Sequence, residues 1–153
     1  MRTIRVLLLS VLMFGGVFLF MLPRQTAIES KLAPVLPKDA IKTFLESKQS
    51  PLANEVETLL AQKHWRLLIA ISAIESQYCK KQLGFNCWGV GGDSAYRYYS
   101  SYRAAIIDAN DLITHWQEKG RWLTPEDMNC HYVQPCNSNW VYVVNKVLGE
   151  LPE

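Results

Sequence analysis

The sequence predicts a mainly α-helical domain over residues 39–153, preceded by an N-terminal membrane helix over 1–23 and a linker over 24–38. Three observations predict it. Apolar residues recur at helical spacing through most of the chain after residue 39. One uncharged apolar run, Val6 to Leu22, stands apart near the N-terminus. Between residues 79 and 100 the helical period lapses into glycines and aromatics, which predicts a small irregular or hairpin lobe.

The first run reads VLLLSVLMFGGVFLFML. As a helix it spans roughly 25 Å, slightly less than the ~30 Å hydrocarbon layer. Ile4 and a snorkelling Arg5 extend it, so membrane contact is expected through residues 4–22. A signal anchor and a cleaved signal peptide both fit. The poor small-x-small match after Leu22 favours the anchor. Arg2 and Arg5 then stay cytoplasmic, and the domain lies outside the cytoplasm in the cell envelope, or is secreted if cleaved. Pro34 and Pro37 stiffen the linker.

Within the domain, Asp39 is placed to cap a helix to about Ser47, with Ile41, Phe44 and Leu45 on one face. Pro51 opens a helix over 52–63. Trp65 to about Tyr78 is apolar nearly all round and is expected to be the central helix. A long helix over 101–118 carries Tyr102, Ala105, Ile106, Ala109, Leu112, Ile113 and Trp116, and ends at Gly120. Asp108 and Asp111 fall on its polar side, which predicts solvated carboxylates. Thr124-Pro125-Glu126-Asp127 is a helix start, with a capping hydroxyl, proline and early acids. A last helix over 138–149 carries Trp140, Val141, Val144, Val147 and Leu148.

Charge excludes one class of partner. The chain has 16 basic and 14 acidic side chains. Arg2, Arg5 and Arg24 flank the apolar run, and the remainder is nearly balanced. A general nucleic-acid binder would show a basic face. Four cysteines follow the run, and an even number in an exported chain predicts two disulfides. Four cysteines allow three pairings. The short loops favour Cys79–Cys87 and Cys130–Cys136. Seven and five intervening residues do not match the usual zinc-ligand pairs, so no metal or other cofactor is expected.

Glu75 is the leading candidate for chemistry. It ends the apolar run Leu67 to Ile74, and the segment Phe85 to Gly92 follows with Asn86, Trp88 and three glycines. A carboxylate where a buried helix meets an aromatic-lined cleft is poorly solvated, which raises its pKa. Such a group holds a proton and delivers it to a leaving oxygen. Asp93 is the only other carboxylate between Glu75 and Ser100 and is the candidate partner. No Ser-His-Asp or thiol-His arrangement is legible. Gly89 to Gly92 lacks the lysine and helix start of a phosphate loop.

Three blocks in order resemble the lysozyme-like bacterial autolysins of the endo-β-N-acetylglucosaminidase type, which include the flagellar muramidase domain. They are Ala73-Ile74-Glu75-Ser76-Gln77-Tyr78, Asn86-Cys87-Trp88-Gly89-Val90, and Tyr96-Arg97-Tyr98-Tyr99-Ser100-Ser101-Tyr102. Tyr132-Val133-Gln134-Pro135 with Trp140 echoes a fourth block. The resemblance covers about residues 60–149. It implies a lysozyme-like helical domain that cleaves the β-1,4 bonds of peptidoglycan or a related N-acetylated glycan, with Glu75 as general acid. It implies that Tyr99 and Tyr132 approach the cleft and that Asn86 and Trp88 shape it, the four forming the substrate-binding set. The chain departs from the family around Cys79, where a glycine often follows the Glu-Ser helix. A local disulfide would fix the same bend. The rival expectations are a non-catalytic glycan-binding or scaffolding module on the same fold, and a disulfide-stabilised surface protein without a sugar ligand.

Overall fold

The computed structural model describes residues 37–91 and 95–152. The expected membrane helix, nearly all of the linker and Asp93 lie outside the described residues. Among the described residues the architecture is helical. Its elements are α1 (Pro37–Ser47), a 3-10 turn (Pro51–Glu55), α2 (Val56–Leu60), α3 (Trp65–Ser76), α4 (Tyr102–Glu118), α5 (Pro125–Met128) and α6 (Ser138–Glu150). No described helix is long and apolar enough to cross a membrane.

The expected helix over 52–63 is two shorter pieces. Ser50 caps the 3-10 turn, its hydroxyl accepting from Leu52 N at 3.2 Å, and the break falls at Glu55 (φ −114°, ψ 17°), after which α2 ends at Leu60. Among the described residues of 79–100 there is no strand, only an isolated antiparallel bridge between Leu83 and Asn86. Asp39 does not cap α1 as expected: the helix already begins at Pro37, and Asp39 lies in its first turn. Ser101 caps α4 through Ala104 N, and Thr124 and Asp127 form a reciprocal capping box on α5.

The central helix is α3. Leu68, Ile69, Ala70 and Ile71 are all fully buried, and α3 packs most extensively against α6. The pair is pinned at both ends. At one end the Arg66 guanidinium donates to Leu148 O (2.7 Å), Pro152 O (2.9 Å) and Leu151 O (3.3 Å), satisfying carbonyls at the end of α6. At the other end Trp140, near the start of α6, reaches back to Glu75. The two helices therefore run antiparallel. Buried Asn110 on α4 accepts from His64 N at 3.2 Å and fixes the turn that launches α3.

The end of α3 is sharper than the apolar pattern implies. The expected helix to Tyr78 stops at Ser76, and Gln77, Tyr78 and Cys79 all adopt positive φ (52°, 58° and 63°). None is glycine, and each such residue costs on the order of 1–2 kcal/mol. Surrounding bonds hold the run in place. The Ser76 hydroxyl donates to Cys87 O (2.8 Å) and accepts from Cys79 N (3.0 Å). Ser50 donates to Tyr78 O at 2.8 Å.

Both disulfides form as the short loops favour: Cys79–Cys87 and Cys130–Cys136. The first closes the bend after α3 onto the Trp88 turn. Loop-closure entropy assigns each bridge about 2 to 2.5 kcal/mol, so it does not separate them. Accessibility does. Cys79 and Cys87 are buried, whereas Cys130 and Cys136 are exposed. Mild reductant with alkylation and mass analysis should label Cys130 and Cys136 first. Cys79–Cys87 should stay protected until the domain unfolds.

Candidate active site

Glu75 occupies the last turn of α3 and opens into a groove of about 520 Å³ lined also by Gly89, Tyr96, His131, Tyr132, Val133 and Gln134. A second arm of the groove adds Trp88, Val90, Gly91, Leu112 and Trp122. Trp140 Nε1 donates to Glu75 Oε1 at 2.7 Å. Gly89 (φ 63°) passes so close that a Cβ there would lie 3.6 Å from Glu75 Oε2. The site is concave, and Glu75 is the one carboxylate among the described residues that line it.

The Glu75 carboxyl is held above its ordinary pKa. Burial is the cause, and the Trp140 hydrogen bond opposes it by favouring the charged form. Taken as a whole residue Glu75 is exposed, because it opens into the groove. The carboxyl itself is largely enclosed. The enclosure governs ionisation, since desolvation depends on the medium within a few ångströms of the charge.

A relay of aromatic rings leads away from that carboxyl. Trp140 packs on Tyr132 (5.6 Å between centroids), Tyr132 on Trp122 (5.4 Å), and Trp122 on Trp116 (5.5 Å). The Tyr132 hydroxyl donates to Trp88 O. Burial, and then the neighbouring Glu75 and Tyr99, hold the Tyr132 phenol well above its usual pKa, so it stays neutral. Tyr132 thus lines the groove.

Asn86 and Trp88 sit elsewhere than expected for direct contact. Asn86 is 2% exposed, and its amide organises the turn. Its Oδ1 accepts from Val90 N (3.0 Å) and Trp88 N (3.3 Å), while Nδ2 donates to Val90 O (2.9 Å) and Arg97 O (3.0 Å). Trp88 is 1% exposed, and its indole donates to Leu68 O at 2.8 Å on α3. The Asn86 amide is saturated, and the Trp88 indole N–H is already spent on Leu68. Asn86 supports the groove from beneath, and Trp88 both supports it and borders its second arm.

Tyr99 is also redirected. It is absent from the described groove lining, and its hydroxyl donates to Asp108 Oδ2 at 2.6 Å. Burial, then the Asp108 carboxylate, push the Tyr99 phenol up. Asp108 is half-buried and also takes both its oxygens to Arg97 Nη1, at 2.7 and 2.9 Å. This corrects the reading of Asp108 as a solvated carboxylate on a wet face. Arg97, Tyr99 and Asp108 instead fasten the Tyr96–Tyr99 strip to α4.

Tyr96, His131 and Gln134 were not among the expected site residues. Tyr96 donates to Leu83 O (3.1 Å) and Asn86 O (3.2 Å), standing as one wall. His131 and Gln134 lie inside the loop closed by Cys130 and Cys136. That clip beside Tyr132 was the available signal. Comparison with family models, with curated proteins and with solved structures returns no match.

Gly89→Ala should cost about 1 kcal/mol in urea unfolding, because alanine resists positive φ. Glu75→Gln should act in the opposite direction. Glu75 binds its proton more tightly folded than unfolded. Its favourable share of stability is complete below the unfolded-state pKa and is lost as pH rises through the raised folded-state value. Glutamine has no proton to lose and keeps an acceptor for Trp140. Parent and variant should unfold alike in acid, and the variant should be the more stable at alkaline pH.

Proposed function

We propose that the domain cleaves the β-1,4 glycosidic bonds of peptidoglycan glycan strands, with Glu75 as general acid. The observation that carries this reading is a carboxyl held above its ordinary pKa in an open groove, 2.7 Å from a fixed indole donor. The sequence blocks resembling the lysozyme-like autolysins fall on that groove and its supports. A site in the cell envelope, with the domain outside the cytoplasm or secreted, is part of the proposal, and the two disulfides favour it.

In the proposed step, Glu75 protonates the bridging oxygen as the C–O bond at the anomeric carbon breaks. Positive charge then develops on the sugar ring. The Trp140 N–H stabilises the carboxylate left behind. The positive ring carbon needs an electron pair. Asp93, outside the described residues, remains the candidate second carboxylate. The substrate's own N-acetyl oxygen or 6-hydroxyl would serve the same need. The 6-hydroxyl route gives an anhydro end by transglycosylation, whereas attack by water gives hydrolysis. A non-catalytic glycan-binding module on this fold would use the same walls but has no need of a raised carboxyl.

The full-length protein, with both disulfides formed, should release soluble fragments from purified sacculi. Glu75→Gln should slow release by roughly 10²- to 10⁴-fold while leaving binding intact. Equal binding without release by parent and variant would favour the binding module. No binding by either would defeat both readings. The rate should fall as pH rises through the raised Glu75 pKa, because the acid must hold its proton. Trp140→Phe removes the donor that favours the charged form, so its alkaline limb should move to higher pH. Initial rates across pH would read this directly.

A further inference from the structure

The groove continues beyond Glu75. The arm that passes Leu112 and Trp122 leads to a smaller hollow of about 120 Å³, lined by Trp116, Arg121, Trp122 and His131. Trp122 and His131 belong to both. The character of the lining changes along this path. Around Glu75 it contains no lysine or arginine. At the far end Arg121 Cζ lies 5.4 Å and Lys119 Nζ 5.2 Å from the centre of the Trp116 ring. His115 packs edge-on to the same ring at 5.5 Å.

Among the described residues Lys119, Arg121 and His131 have no acidic partner: none forms an ion pair, and no described carboxylate lines the hollow. The negative end of the α4 dipole accounts for basic residues near Glu118. It does not account for the guanidinium lining a hollow continuous with the groove. The walls are also fixed in advance. Trp122 is 6% exposed and wedged between Trp116 and Tyr132, and Arg121 N donates to Trp116 O at 2.9 Å.

We propose that this hollow is a subsite for a carboxylate carried on a peptide branch of the glycan strand, held chiefly by Arg121. The proposal rests on the glycan-cleavage reading and narrows its substrate to branched, peptide-bearing strands. A neutral N-acetylated sugar offers nothing that repays desolvating a guanidinium. A carboxylate matches its planar fork with two parallel hydrogen bonds. The small volume suits a side group better than a run of sugar rings. Lys119, over the same Trp116 ring, adds positive potential beside the hollow.

The test uses full-length Glu75→Gln protein, with both disulfides formed, so that binding is read without turnover. Calorimetry compares three soluble strands: peptide-bearing, peptide-bearing with its carboxylates amidated, and stripped of peptide. The first should bind roughly tenfold tighter than the other two, an advantage that shrinks with added salt. Adding Arg121→Ala or Arg121→Gln should abolish the difference while leaving affinity for stripped strands unchanged. Equal affinity for all three strands overturns the subsite and leaves the cleavage reading standing. A preference that survives both Arg121 variants overturns its assignment to this hollow. No binding to any strand, with no release of fragments by the parent, overturns the subsite and the cleavage reading together.

Discussion

The structure depends on how the chain leaves α3. Ser76 ends the helix by bonding to the Cys87 carbonyl, and the three residues that follow are all left-handed. Those conformations are unfavourable for residues with a Cβ, so the turn persists only because its neighbours hold it. The Cys79–Cys87 bridge, the Ser76 hydroxyl and Ser50 do so together. Glu75 is the residue just before this point. Its carboxyl meets the Gly89 backbone because the same few bonds bring the Trp88 turn up against the helix end. Where glycine would make such a bend without strain, this chain uses covalent and hydrogen-bonded restraint.

Around that point the polar groups divide by role. Asn86 is saturated by four backbone partners and fixes a turn. Asp108 is occupied by Arg97 and Tyr99 and joins a strip of loop to α4. Glu75 has one donor, Trp140, and open space beyond it. Buried polar groups with full complements of partners stabilise, whereas one left partly unsatisfied in a groove is available for chemistry. That contrast separates Glu75 from the other acids more clearly than its position in the sequence does.

Much of this was legible from residues alone, for physical reasons. The helices were readable because their buried faces repeat at 3.6 residues, and Ser101 and Thr124 announce their own caps. The cysteine pairing was readable because short loops bring their ends together at little entropic cost. Local patterns could not reveal the run of left-handed residues, which only tertiary bonds sustain. Nor could they reveal that Trp88 spends its indole on Leu68, or that Asp108 faces Arg97 and Tyr99, because those partners are set by how α3 and α4 pack. Asn86 and Trp88 were recognisable as shaping the groove, but their burial and backbone partners were not. Residues that build a groove and residues that touch what enters it look alike until burial is known.

The indole that meets Glu75 comes from α6, 65 positions further along the chain. Until that last helix docks, the carboxyl lacks its Trp140 donor and the burial that the Trp140 ring contributes. A chain lacking residues from 138 onward therefore keeps the Glu75 side chain but not the indole that meets it, so the chemical character of this acid is set by a helix far from it in sequence.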